Sequence, residues 1–279
     1  MHSSLRTQRV DSVEVRWVPL RSPTLPPATH TNCVLLGKGR YLLVDPASPW
    51  KEEQETLLEV VAALSLAGER LMGILLTHHH VDHVSGANAL RQACNVSIYA
   101  HARTQQKLAG EIEIDHLLQD EDRLAPVPGW RVVWTPGHAP GHLCAVSDDG
   151  VIAAGDMIAG IGTIVIEPED DGDMTAYLES LARLRALRPR CLVPAHGEPI
   201  LDADQRLAGY IEHRLRREAQ VRASLGAEQR TVMALVPAVY PEVSPRIHPL
   251  AARSLLAHLQ KLEKEGAAQV DSLGRWSAK

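Results

Sequence analysis

Short apolar runs punctuate the first two hundred residues, and five of them give way abruptly to a residue that can hold a proton or a metal. Tyr41-Leu42-Leu43-Val44 ends at Asp45, and Gly73-Ile74-Leu75-Leu76-Thr77 ends at His78. The run from Trp130 to Trp134 leads into a turn carrying His138 and His142, Val151-Ile152-Ala153-Ala154-Gly155 leads to Asp156, and Cys191-Leu192-Val193-Pro194 leads to His196. Short apolar runs bounded by turn formers read as buried strands. Open α/β sheets commonly place their ligands at the carboxyl ends of strands, so the polar residues at these ends are expected to meet.

Beyond residue 200 the pattern changes to a helical period. A helix is expected from about Ala208 to Ser224, rich in Arg214, Arg216, Arg217 and Arg222. Thr231 to Val239 is apolar and helical in period, and Leu250 to Glu265 repeats Leu255, Leu256, Leu259 and Leu262 at helix spacing. Gly266 stops that helix, and Ala268-Gln269-Val270, a turn at Ser272 to Gly274 and Trp276 are expected to form a hairpin. Three helices and a hairpin read as a small winged-helix-like unit, which divides the chain into residues 1–205 and 206–279. The Arg-rich face has a plain reading, a solvated surface pairing with Glu212 and Glu218.

The chemistry concentrates in His78-His79-His80-Val81-Asp82-His83. Imidazole and carboxylate together suit zinc, iron or manganese. His78 and His80 are two apart and cannot point the same way from a regular helix, so they sit on a loop. Asp82 and His83 are adjacent and diverge, so one turn can serve two ions. The second cluster, Thr135-Pro136-Gly137-His138-Ala139-Pro140-Gly141-His142, lies on a turn whose Pro and Gly stiffen the backbone.

In this order, the motifs resemble those of the metallo-β-lactamase superfamily: an early Asp, an H-x-H-x-D-H box, a later His, an Asp and a final His. The resemblance implies a four-layer αβ/βα sandwich of two mixed sheets with helices outside. It also implies that His78, His80 and His142 bind a first metal, that Asp82, His83 and His196 bind a second, and that Asp156 bridges them. Asp45 would hold the histidine loop by hydrogen bonds. His79 and His138 fall at positions to which the resemblance gives no metal. Two zinc ions per chain are expected, with iron or manganese as alternatives. Two such ions roughly 3.5 to 4 Å apart lower the pKa of a shared water toward ~7 and clamp the developing oxyanion, which is hydrolase chemistry. Asp82 could in addition relay a proton to the leaving group.

Tyr210 to Arg214, Thr231 to Val236 and His258 to Gly266 are similar to the tail of the β-lactamase-like protein 2 family, as is Gly155-Asp156-Met157-Ile158 in the first unit. That family includes an endoribonuclease of single-stranded RNA and thioesterases that act on carrier-bound polyketides, so membership leaves the substrate open. Many dedicated zinc β-lactamases carry Cys or Ser where this chain has Asp156, which argues against β-lactam cleavage. Related lactonases carry Tyr three residues after the bridging Asp, where this chain has Ala159. The 40 residues from Asp156 to His196 leave no room for the insertion of nucleic-acid-processing relatives.

Charge favours an acyl substrate over RNA. Residues 1–200 hold 17 Lys or Arg against 25 Asp or Glu, whereas residues 201–279 hold 12 against 9. A protein that tracks a phosphate backbone usually shows a basic groove and stacking aromatics. This chain has no Phe, five Trp and five Tyr. The leading expectation is therefore hydrolysis of a small thioester or ester. The alternatives are cleavage of single-stranded RNA and an iron-dependent persulfide dioxygenase on the same scaffold. The four cysteines are dispersed without a C-x-x-C pair, and no apolar stretch reaches the ~20 residues of a membrane span. A cytoplasmic protein without membrane contact is expected, with a homodimer as one possible assembly. The Pro-rich stretch from Arg21 to Asn32 is a stiff loop that either shapes the pocket or merely connects strands.

Overall fold

A computed structural model describes residues 4–11 and 13–279. Seven strands follow one another in sequence order across the first sheet: β1 (Arg6–Val10), β2 (Val13–Arg21), β3 (His30–Leu36), β4 (Arg40–Val44), β5 (Arg70–Leu75), β6 (Ile98–His101) and β7 (His116–Leu118). The pairs from β1 to β4 are antiparallel and those from β4 to β7 are parallel. The second sheet is built from β8 (Trp130–Trp134), β9 (Leu143–Ser147), β10 (Val151–Gly155) and β11 (Cys191–Pro194), in the order β11-β10-β9-β8. Only its β10–β11 pair is parallel.

Alternation along the strands decides the layers, because successive side chains leave a sheet on opposite faces. In β4, Leu42 and Val44 face Val132, Leu143, Ala153 and Val193 of the second sheet, while Tyr41 and Leu43 face outward. Leu57, Val60 and Leu64 of α1 (Lys51–Leu66) and Leu90 of α3 (Ala87–Cys94) cover that outer face. In β10, Val151 and Ala153 point inward, and Ile152 and Ala154 pack beneath α5 (Met174–Ala186) and α6 (Ala203–Ser224). The result is the expected αβ/βα sandwich. Two short helices, α2 (Val81–Val84) and α4 (Ala102–Lys107), follow β5 and β6.

The tail forms the expected winged-helix arrangement. Val221 of α6, Leu235 and Val236 of α7 (Val232–Val239), and Leu255, Leu259 and Leu262 of α8 (His248–Lys264) enclose a second core with Trp276. The hairpin of β12 (Ala268–Val270) and β13 (Trp276–Ala278) closes it. Thr231 caps α7 by accepting from the Ala234 amide. Position 206 lies inside α6, a continuous helix whose Leu207 belongs to the first core and whose Val221 belongs to the second.

The Arg-rich helix differs from a solvated face. Arg216 reaches Glu212 at 3.7 Å, but Glu218 accepts from Lys261 Nζ of α8 at 2.8 Å. Arg214 is buried: its guanidinium lies over the Tyr177 ring and donates to the Ile164 carbonyl at 2.5 Å. Arg217 lies over Tyr240 and donates to the Val239 carbonyl and to Glu242. These cations hold the tail together and join it to the first unit. Cys33, Cys144 and Cys191 are buried thiols, and Cys94 is partly so. No helix among the described residues is long and apolar enough to cross a membrane.

Candidate metal centre

Each histidine ring has two nitrogens, and the partner of one determines what the other can do. His78 Nδ1 lies 2.9 Å from Thr77 Oγ1, whose proton goes to Asp45 Oδ2 at 2.6 Å. The hydroxyl must therefore accept from His78, which leaves Nε2 with its lone pair. His80 Nε2 is 2.9 Å from Asp170 Oδ2, and His138 Nδ1 is 2.9 Å from the Val165 carbonyl. Both contacts require a proton on that nitrogen, so the opposite nitrogens are acceptors. The three acceptors face one another: His78 Nε2 and His138 Nε2 lie 2.9 and 3.0 Å from His80 Nδ1. Lone pairs so arranged repel unless a cation sits among them.

The second group follows the same logic. His83 Nδ1 donates to Asp45 Oδ2 at 2.8 Å, and His196 Nδ1 donates to the His30 carbonyl at 2.9 Å. His83 Nε2 then has no hydrogen-bond partner among the described residues, nor does Asp156 Oδ1, although both are buried. These two atoms are 3.4 Å apart, and His196 Nε2 is 3.5 Å from the same oxygen and 3.6 Å from Asp82 Oδ2. Thr24 Oγ1 lies 3.4 Å from His196 Nε2 as well. Asp156 Oδ2 turns toward the first group, 3.4 Å from His138 Nε2. Among the described residues, three groups bring donor atoms close enough to hold an ion: His78, His80, His138 and Asp156; Asp82, His83 and His196; and His79, His80 and Asp170, in which Asp170 Oδ2 already accepts from both rings. Buried imidazole nitrogens and carboxylate oxygens converging in this way make a donor set that suits divalent cations.

The structure brings His138, and not His142, into the first set. His142 Nε2 accepts from the Asp156 amide at 3.1 Å, and its Nδ1 is 2.8 Å from Thr135 Oγ1. Both nitrogens are committed, so His142 anchors the backbone of Asp156 instead of offering a ligand atom. Glycine makes this possible: Gly155 has φ +50, and a Cβ there would lie 2.5 Å from His142 Nε2. Gly137 does the same for its neighbour His138, with φ +130 and a would-be Cβ 2.2 Å from the Tyr177 nitrogen.

Asp45 accepts from the Thr77 amide, the Thr77 hydroxyl and His83 Nδ1, and adopts a left-handed φ of 51° in doing so. Such strain at a non-glycine residue persists only where the surroundings overdetermine it. Asp170 is a second supporting carboxylate, with Oδ2 accepting from His79 and His80 and Oδ1 accepting from Lys107 Nζ at 2.9 Å. Nothing local marks it, since Glu167-Pro168-Glu169-Asp170-Asp171 reads as a solvated acidic loop.

Protonation follows burial and charge. Burial pushes His78 and His142 well below the usual imidazole value and His138 down to about 4. For His83, burial is outweighed by Asp156, Asp82 and Asp45, which raise it. For Asp156, burial is outweighed by His83 and His196, which hold the carboxyl low.

His80, Asp82, His138, Asp156 and His196 reach the floor of a cavity of about 530 Å³. Its walls come from Pro23 to Ala28 of the Pro-rich loop, from Ile161 to Val165 after β10, and from Ile247, Leu250 and Arg253 of the tail.

Residues 26–196 match the model of the metallo-beta-lactamase superfamily, and residues 231–276 match that of the beta-lactamase associated winged helix domain. The chain is 30% identical over 253 residues to the beta-lactamase-like protein 2 homolog of Drosophila melanogaster, covering 86% of this chain and 84% of that protein. It is 30% identical over 213 residues to the atrochrysone carboxyl ACP thioesterase of Aspergillus fumigatus, covering 72% of this chain and 61% of that protein. A beta-lactamase domain protein from Burkholderia ambifaria has the same fold, with a TM-score of 0.85 at 22% identity over 100% of this chain and 95% of that one.

Proposed function

We propose, from the premise that the chain belongs to the metallo-beta-lactamase superfamily, that it is a dinuclear metal-dependent hydrolase of acyl thioesters or esters. The observation that carries this reading is the pairing of seven inward-facing donors with an apolar mouth. His78, His80 and His138 would hold one ion, and Asp82, His83 and His196 the other. Asp156, with one oxygen toward each set, would bridge them. Zinc is the proposed metal, although the same donors accept iron and manganese. When bound, such ions supply the Lewis acidity that ionises water near neutral pH and stabilises an oxyanion.

In thioester hydrolysis the carbonyl–sulfur bond breaks, water supplies the new acyl oxygen, and the thiol leaves with a proton. Asp82 lines the mouth and is the carboxylate we assign to moving that proton from water toward sulfur. Asp45, buried away from the cavity, orients His83, and Asp170, on the cavity lining, orients His80. His142 and Gly155 set the backbone of Asp156.

Two features weigh for an acyl substrate over RNA. Among the described residues, Arg253 is the one Lys or Arg lining the mouth, and it is already paired with Glu167 at 2.7 Å. A phosphate backbone would find little unpaired positive charge there. The Aspergillus relative, moreover, is named as a thioesterase.

The test is a side-by-side assay of a thioester panel and an unstructured RNA on protein of measured metal content. Thioester turnover with two metals per chain, lost in His80→Ala and His138→Ala, is the expected result. RNA-only turnover overturns the substrate, and one iron per chain with oxygen consumption overturns the hydrolase.

A further inference from the structure

We infer that Ile247 and Leu250 of the C-terminal unit form one wall of an acyl-binding slot and select substrates whose acyl group is bulky and apolar. This rests on the thioester or ester reading above. Large apolar side chains left in water are ordinary when scattered, but a convergent group marks a binding surface. Leu25, Val81, Ile161 and Ile247 are 53%, 59%, 44% and 50% exposed, and they come from four separate stretches of chain. All four line the cavity above the His and Asp cluster, with Leu250 beside Ile247. The slot thus combines the polar His and Asp cluster, where a carbonyl would be attacked, with apolar side chains from four separate stretches of its wall.

In a thioester whose thiol half bears polar amides, the acyl group is the apolar part, so the apolar walls complement the acyl side. The tail's wall is also tied to its surroundings. Ile247 ends a 3-10 turn (Pro245–Ile247) that runs straight into α8, and Pro249 lies in the first turn of that helix. One turn further along, Arg253 Nη1 grips Glu167 Oε2 at 2.7 Å, tying α8 to the loop that carries Asp170. A wall held in this way discriminates by contact, and each methylene it meets changes selectivity by ~10-fold or more.

The experiment uses the full-length, metal-loaded protein with Ile247→Ser and Leu250→Ser, both at partly exposed positions whose unfolding temperatures serve as a folding control. Two quantities are read: the affinity for decanoate by calorimetry, and the ratio of kcat/KM for decanoyl over acetyl esters of one thiol. Each variant is expected to lose roughly tenfold in decanoate affinity and in that ratio. Wild-type protein that does not bind decanoate, or variants that bind it as tightly as wild type, overturn the inference whatever the turnover. Weakened decanoate binding with no hydrolysis of either thioester leaves the wall standing and sinks the hydrolase reading instead.

Discussion

At the scale of single residues, the histidines of this site are chemically alike and differ only in what holds their second nitrogen. His138 gives its Nδ1 proton to a carbonyl and keeps an inward lone pair, whereas His142 spends its lone pair on the Asp156 amide. His138→Ala should therefore remove a donor and lower the metal bound after dialysis by up to one equivalent per chain. His142→Ala should retain more metal than His138→Ala, because it removes an anchor and not a ligand; elemental analysis of the two dialysed variants checks the order. Asp170 fixes the ring of His80 from behind, and outer carboxylates of this kind typically matter 10–100-fold for metal affinity. Asp170→Asn is expected to weaken binding by about that factor in competition with a chromogenic chelator, and an unchanged affinity would reduce the Lys107–Asp170 contact to a surface ion pair.

At the scale of elements, α6 is the piece that makes two units into one. Its Tyr210 hydroxyl accepts from the Ala159 amide at 3.0 Å and donates to the Ala159 carbonyl at 3.1 Å, and Arg214 holds the Ile164 carbonyl. Val165, the next residue, carries the carbonyl that orients His138. The helix is pinned to α8 by Glu218 and Lys261. Burial alone would raise the Glu218 carboxyl, but His258 and Lys261 outweigh it and hold it below its usual value. A carboxylate whose folded pKa is depressed contributes stability above its unfolded value, near 4.3, and loses it as pH falls through the folded value. The gap in unfolding temperature between wild type and Glu218→Gln should be full above about pH 5 and close as pH falls below about 4. A gap independent of pH would assign Glu218 a packing role only.

At the scale of the whole molecule, metal binding and folding are expected to be coupled, because the donors follow strands of both sheets and converge only when the two sheets are packed together. Metal at a hundred times its dissociation constant is expected to stabilise the protein by about 2.7 kcal/mol per site, and chelation to remove that gain. Thermal unfolding with and without a chelator checks it, and equal midpoints would mean that the site does not bind. Much of this architecture was legible in the chain. Apolar runs ending at Asp45, His78, Asp156 and His196 announce both strands and site, since burial demands apolar strands and chemistry demands polar ends. The spacing of Leu255, Leu259 and Leu262 announces α8 in the same way. The choice between His138 and His142 was not legible, because the two lie in one turn and only the approach of the Asp156 amide separates them. Asp170 and the Ile247–Leu250 wall were hidden for a related reason, as each reaches the site from a distant segment by packing alone. The sequence by itself determined the donor types and the strand and helix periods, because these are local, and its ordered motifs, through their resemblance to the metallo-β-lactamase superfamily, implied the layered fold and the class of chemistry. Tertiary structure alone decided which nitrogen faces inward and what surrounds the mouth, because ring orientation and cavity walls are set by contacts between residues far apart in the chain.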